Sequence, residues 1–63
     1  RVFTITSNDN LDALRFWQKR NFRLVRIYKD AFEITRKLKP QVPRIGNFGI
    51  PLRDELELEY SDL

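Results

Sequence analysis

Residues 2–22 read VFTITSNDNLDALRFWQKRNF, and the change of hydrophobic period inside this stretch decides the fold. Val2-Phe3-Thr4-Ile5-Thr6 is β-branched and aromatic, which predicts a strand over residues 1–6. The polar cluster Ser7-Asn8-Asp9-Asn10 ends that run as a turn. Beyond it apolar residues return at helical spacing, with Leu11 and Leu14 three apart, Ala13 and Trp17 four apart and Phe16 widening the stripe. This predicts a helix over residues 10–20 that buries a broad face. Asp9 is the expected N-cap, with Asp12 close to the positive helix end. Lys19 and Arg20 complement the opposite end of the dipole, and Asn21 suits the left-handed conformation that stops a helix.

Working outward, residues 22–29 form a second expected strand, interrupted by Arg23 and Arg26, so one face or edge meets solvent or an anion. Ala31, Ile34, Thr35 and Leu38 then recur at three and four residues among Arg36, Lys37 and Lys39, predicting a basic helix over 31–39 halted near Pro40. Residues 40–51 hold all three prolines and both glycines, a long irregular connection of the kind used for binding loops or lids. Residues 54–60 alternate cleanly, Leu56, Leu58 and Tyr60 against Glu55, Glu57 and Glu59, which predicts a half-buried strand. The fold class is therefore α+β in the order β-α-β-α-β, one domain or part of one over residues 1–63. No proline or inward charge protects the edge of the first strand, and an absent neighbouring strand would cover it.

Composition narrows the function. A chain of 63 residues buries only about 60% of its unfolded surface, so its core is thin. Hydrophobic residues make up 41% and charged residues 33%, a globular balance. There is no cysteine, which excludes a disulfide staple and a thiolate zinc site. There is no histidine either, removing the commonest general base, the commonest metal ligand and any Ser/His or Cys/His nucleophile pair. No apolar run approaches the ~18 residues of a membrane span, and no basic-then-apolar leader opens the chain. A cytoplasmic location is the expectation. Arg1 runs directly into a strand without an initiating Met, so the sequence reads as cut from something longer.

Charge is uneven. Residues 1–53 carry all twelve basic residues against four acids, and residues 54–63 carry five acids and no base, so the net +3 is +8 followed by −5. The acidic end can lie against the basic body of the same chain, or the body can attract an anionic partner. Ile45-Gly46-Asn47-Phe48-Gly49 lacks the strand, helix and Lys of a phosphate cradle and reads as a turn in a proline-rich loop. Glu55, Glu57 and Glu59 read as a solvated strand face, with paired-carboxylate or hard-metal chemistry as the alternative. Arg20, Arg23, Arg26 and Lys29, interleaved with Phe22 and Tyr28, are either a strand's outer face or a groove tracking a nucleic-acid backbone. No recognisable nucleic-acid module accompanies them.

The segment from Asn10 through Ala13, Trp17, Lys19 and Asn21 to Phe22, between two strands, resembles the C-terminal signature of the GNAT superfamily of N-acetyltransferases. In that signature a strand ends at an Asn, followed by an Ala, an aromatic residue, then Lys, Gly and Phe. The resemblance spans residues 2 to about 28, and Thr35–Pro40 and Ile50–Glu55 look like one branch of such proteins. It implies the C-terminal half of a mixed-sheet fold, incomplete as a full acetyltransferase domain. It also implies acetyl-CoA as cosubstrate, with an amine attacking the thioester directly. On this resemblance Asn10 contacts the pantetheine arm, Ala13 leaves room beside it, and Lys19 or Arg20 lies towards the nucleotide phosphates. Trp17 stands where the family usually has the Tyr that protonates the leaving thiolate, and an indole N–H is no practical acid. The pyrophosphate loop of the family is absent from these residues. The implied partners are the missing N-terminal half of the domain or a second copy at an open sheet edge. The acidic last strand is expected to pair antiparallel with the earlier strands and to set Leu56, Leu58 and Tyr60 against the helix carrying Trp17. The rival readings are a non-catalytic interaction module that dimerises, and a basic nucleic-acid binder.

Overall fold

Strand and helix alternate as the residue periods dictate, in a computed structural model that describes residues 1–62; Leu63, the last residue of the expected domain, lies outside the described residues. The elements are β1 (Phe3–Ser7), α1 (Leu11–Gln18), β2 (Phe22–Tyr28), α2 (Ala31–Leu38), a short 3₁₀ turn at Asn47–Gly49 and β3 (Glu55–Tyr60). The β-α-β-α-β order stands, with element ends moved by one or two residues.

The helix ends have local causes. Asn10, and not Asp9, is the N-cap of α1: its side-chain oxygen accepts the Ala13 N–H at 3.1 Å. At the other end the Arg20 N–H turns to the Trp17 carbonyl and Asn21 takes φ 67°, so the helix tightens and stops before Arg20. Asp30 enters α2 from the left-handed region, φ 60°, and its N–H is held by the Asp54 carboxylate at 2.8 Å. Pro40 disfavours helical angles at Lys39, which takes φ −132° and ψ 82°, and α2 ends at Leu38.

The three strands form one antiparallel sheet in the order β1-β3-β2. The acidic last strand thus lies in the middle and pairs with both earlier strands. On β2 the register shifts between Leu24 and Arg26, a bulge that leaves Val25 unpaired. The bulge reconciles two period-three repeats with a period-two sheet. Phe22, Leu24 and Ile27 oppose Tyr60, Leu58 and Leu56, while Arg23 and Arg26 oppose Glu59 and Glu57. Without the extra residue, Arg26 would fall on the leucine face.

On the leucine face α1 packs by rings. Trp17 meets Phe22 edge-on at 4.8 Å between centroids, and Phe22 meets Tyr60 at 5.6 Å. Such pairs add about 0.5–1.5 kcal/mol beyond their area. Leu58, opposed by Thr4 and Leu24 on its two sides, has no exposed surface, and among the described residues only Leu52 is a second buried hydrophobic. The apolar row of β3 is therefore graded, with Leu58 enclosed, Leu56 half-buried and Tyr60 exposed.

The opposite face departs from the expected solvated row. Glu57 is 2% exposed. Its carboxylate takes a hydrogen bond from the Tyr28 hydroxyl and ion-pairs with Arg1, while the Arg26 guanidinium lies 3.5 Å away. Arg1 also reaches Glu59 at 3.1 Å. A strand in the middle of the sheet has neighbours on both sides, so its central acid is covered from β1 and β2 at once. The −5 segment thus lies partly against the basic body of its own chain.

Candidate functional site

The turn Ser7-Asn8-Asp9-Asn10 is the hub around which the candidate site is built. Asn10 caps α1. Asn8 accepts the backbone N–H groups of Arg53 and Asp54, each at 3.0 Å, and donates its amide to the Pro51 carbonyl at 2.9 Å. Asp9 is 3% exposed and accepts the Asn47 N–H at 2.6 Å. Three adjacent polar residues thereby tie β1 to α1, to the start of β3 and to the Gly-rich turn.

The loop at 40–51 is consequently an anchored segment and not a free lid. Ile45 and Pro51 form an isolated bridge, Gly46 N–H bonds to Ile50 O at 2.8 Å and Leu52 N–H to Arg44 O at 2.8 Å. From α2, the Arg36 guanidinium donates to the Pro43 carbonyl at 2.9 Å and pairs with Glu33 at 2.6 Å. Gly46 has ordinary backbone angles for any residue; its lack of a side chain matters because a Cβ there would run into the Asp9 carboxylate. Gly46→Ala is expected to destabilise the fold by about 1–3 kcal/mol through overpacking, and to be near neutral in an Asp9→Ala background. A double-mutant cycle by urea unfolding checks this; equal costs in both backgrounds would separate Gly46 from Asp9.

Burial pushes the Asp9 carboxyl up, and hydrogen bonds from the Ser7 hydroxyl and the Asn47 backbone outweigh it, leaving the pKa below its ordinary 3.8. The Asn47 N–H is the close one of these. A folded-state pKa below the unfolded one means the unfolded chain binds more protons. The Asp9 contribution is therefore fully present above about 3.8 and lost as pH falls through the folded value.

The residues singled out from the sequence lie along one helix. Asn10 and the half-buried Ala13 are at its N-terminal end, with the Ala13 N–H already engaged by Asn10. Trp17 is half-buried, wedged edge-on between Phe16 at 4.9 Å and Phe22 at 4.8 Å. Lys19 is exposed at the other end. The Arg20 guanidinium carbon lies over the Phe16 ring, 3.6 Å from its centroid, and the side chain donates to the Phe16 carbonyl at 3.0 Å. Nine residues at about 1.5 Å rise separate Asn10 from Lys19 by roughly 13 Å. The structure therefore holds an amide-capped helix start and a cationic helix end, joined by an aromatic middle.

What the sequence reading missed on the charged face is the burial of Glu57. Arg23 and Arg26 lie across from Glu59 and Glu57 in the register, and the Arg26 guanidinium pairs with Glu57 at 3.5 Å. Arg20 lies in the turn just after α1, held to the Phe16 carbonyl. The signal for that face in the sequence was the three-residue spacing of Arg23 and Arg26, which a bulge converts into alignment with glutamates two apart. Among the described residues no group of three or more acids, His or Cys is placed to hold a metal ion. No helix of the described residues is long and apolar enough to cross a membrane.

Comparison with known proteins adds relatives and no activity. No family model matches the chain, and no solved structure matches it. It is 52% identical over 58 residues to the uncharacterized protein YxbD of Bacillus subtilis (strain 168), covering 92% of this chain and 36% of that protein. It is 41% identical over 56 residues to the uncharacterized protein YdhI of the same organism, covering 89% of this chain and 35% of that protein. The chain thus spans about a third of the length of the curated relatives that it matches.

Proposed function

We propose that this chain is the C-terminal part of an N-acetyltransferase that moves an acetyl group from acetyl-CoA to an amine, and that it does not complete the reaction alone. The observation that carries the reading is the β1–α1–β2 unit, in which a strand runs through a polar turn into a helix capped by Asn10 and followed by Ala13 and Trp17. The insertion of β3 between β1 and β2, antiparallel to both, is the pairing that the resemblance implies.

In this reading Asn10 and the positive end of α1 face the polar pantetheine arm. Lys19 and Arg20 supply positive charge for the phosphorylated nucleotide at the far end of the helix. The amine nitrogen attacks the thioester carbonyl, the C–S bond breaks and the thiolate leaves. Trp17 cannot protonate that thiolate; the proton that the attacking nitrogen loses on forming the amide balances its charge. Backbone amides for the pyrophosphate, a large part of the affinity for such a ligand, lie outside this chain.

Titration of the ¹⁵N-labelled chain with acetyl-CoA, followed by amide shifts, tests the proposal. Shifts concentrated between Asn10 and Arg20 are expected, and they should weaken in Lys19→Gln/Arg20→Gln. A folded chain whose amides in that range stay still at millimolar ligand would refute a CoA surface on α1.

A further inference from the structure

The carboxylates that leave the surface are matched, with one exception. Five acids are buried or half-buried. Of these, Asp9 accepts the Asn47 N–H, Asp54 the Asp30 N–H and Glu57 the Tyr28 hydroxyl, and Glu59 pairs with Arg1. Glu55, half-buried at the start of β3, is the fifth, and among the described residues its carboxylate has no hydrogen bond or ion pair. Partial burial without a partner costs a charge free energy, and a cationic ligand would remove that cost.

Glu55 opens onto a groove of about 600 Å³, whose other walls are Ile5 of β1, Tyr28 and Lys29 at the end of β2, and Ala31 and Ile34 of α2. The volume lies within the roughly 300–1,000 Å³ of small-ligand sites, which combine apolar walls with a few polar groups. Ile5 and Tyr28 stand opposite Glu57 and Glu55 in the register, so the groove is on the acidic face of the sheet, away from α1. The Tyr28 hydroxyl is taken up by Glu57, and Tyr28 therefore offers the groove its ring. Lys29 is exposed, and among the described residues it pairs neither with Glu55 nor with any other acid. One free anion and one free cation thus share a groove whose remaining walls are apolar.

We propose that this groove binds a free α-amino acid with an apolar side chain. Its ammonium group pairs with Glu55, its carboxylate with Lys29, and its side chain lies against Ile5, Ala31 and Ile34. The two charges decide the class. A diamine would meet Lys29 as a like charge, and a simple carboxylic acid would meet Glu55 as one. A zwitterion answers both, and the apolar walls favour a side chain that carries no further charge. A protein segment filling the same space would have to bring a separate cation and a separate anion to these walls, whereas an α-amino acid carries both on one carbon. The binding stands on the groove alone; that the bound amine is the acetyl acceptor rests on the acetyltransferase reading.

Titration of the ¹⁵N-labelled chain with leucine tests it. Amide shifts are expected at Tyr28–Ile34 and at Glu55. N-acetylleucine, which lacks the ammonium group, and leucinamide, which lacks the carboxylate, should each bind at least tenfold more weakly. Glu55→Gln and Lys29→Gln should each weaken leucine at least tenfold, and circular dichroism should show both variants folded as the parent chain is. A folded chain that ignores leucine at millimolar concentrations would leave the groove as a packing surface for another protein segment and overturn the proposal. Equal binding of leucine and its two derivatives, or binding indifferent to Glu55→Gln, would overturn it as well. Leucine shifts without an acetyl-CoA response would uphold this site and refute only the CoA surface on α1, and the reverse pattern would refute this inference alone.

Discussion

Leu58→Ala should unfold this protein or come close to it. Leu58 has no exposed surface and sits on the middle strand, and a buried Leu→Ala costs about 2–5 kcal/mol through lost transfer energy and the cavity left behind. Typical stability of roughly 0.05–0.15 kcal/mol per residue puts the whole chain at about 3–9 kcal/mol. One side chain therefore carries a share comparable with the total. Thermal melts followed by far-UV circular dichroism measure it, and each 1 kcal/mol should lower Tm by about 4–8 °C in a domain of this size. Ile27→Ala is the contrast: on the same face but 66% exposed, it should cost about 0.5 kcal/mol or less. Equal melting points for Leu58→Ala and the parent chain would mean that β3 is not central.

The second large effect is expected at Glu57. Glu57→Gln keeps the shape of the side chain but removes the charge that receives Tyr28 and Arg1. Hydrogen bonds to a charged group contribute about 1.5–3 kcal/mol, and the loss should fall in that range. The lower half is favoured because Arg1 and Arg26 are about half exposed on their side chains, and water can replace what they lose. Tyr28→Phe should cost less than Glu57→Gln, and the two losses should add to more than the double variant shows. Glu55→Gln, at the end of the same strand with the carboxylate half-buried, should stay within about 0.5 kcal/mol. If urea unfolding found Glu57 and Glu55 equivalent, the buried carboxylate would have no place in the fold.

The sparse interior gives these numbers their weight. Two buried hydrophobics among the described residues cannot offset the ordering entropy of a chain this long by themselves. The polar hub at Asn8, Asp9 and Asn10, the ring chain from Trp17 to Tyr60 and the Glu57 cluster supply the rest. Each is a cooperative arrangement, so each loses more than one contact when a single member is changed.

Sequence by itself determined the period of every segment, and with it the number, type and order of the elements. It also marked the turn at 7–10, the left-handed stop at Asn21 and the residues along α1 that make up the candidate site. These are local properties, set by backbone sterics and by the face that a helix or strand must bury. The periods of the segments left open that β3 lies between β1 and β2, an arrangement expected only from the resemblance, because strand order depends on partners distant along the chain. From that order followed the burial of Glu57, which alternation alone had placed in solvent. The Val25 bulge, which aligns Arg23 and Arg26 with glutamates, exists only in relation to the register of β3. Asp9 was drawn from helix cap to loop anchor because Gly46 leaves room for its carboxylate, and a contact between residues so far apart has no local signal. The capping role passed to Asn10, one residue on, where the geometry of the first turn admits an amide oxygen.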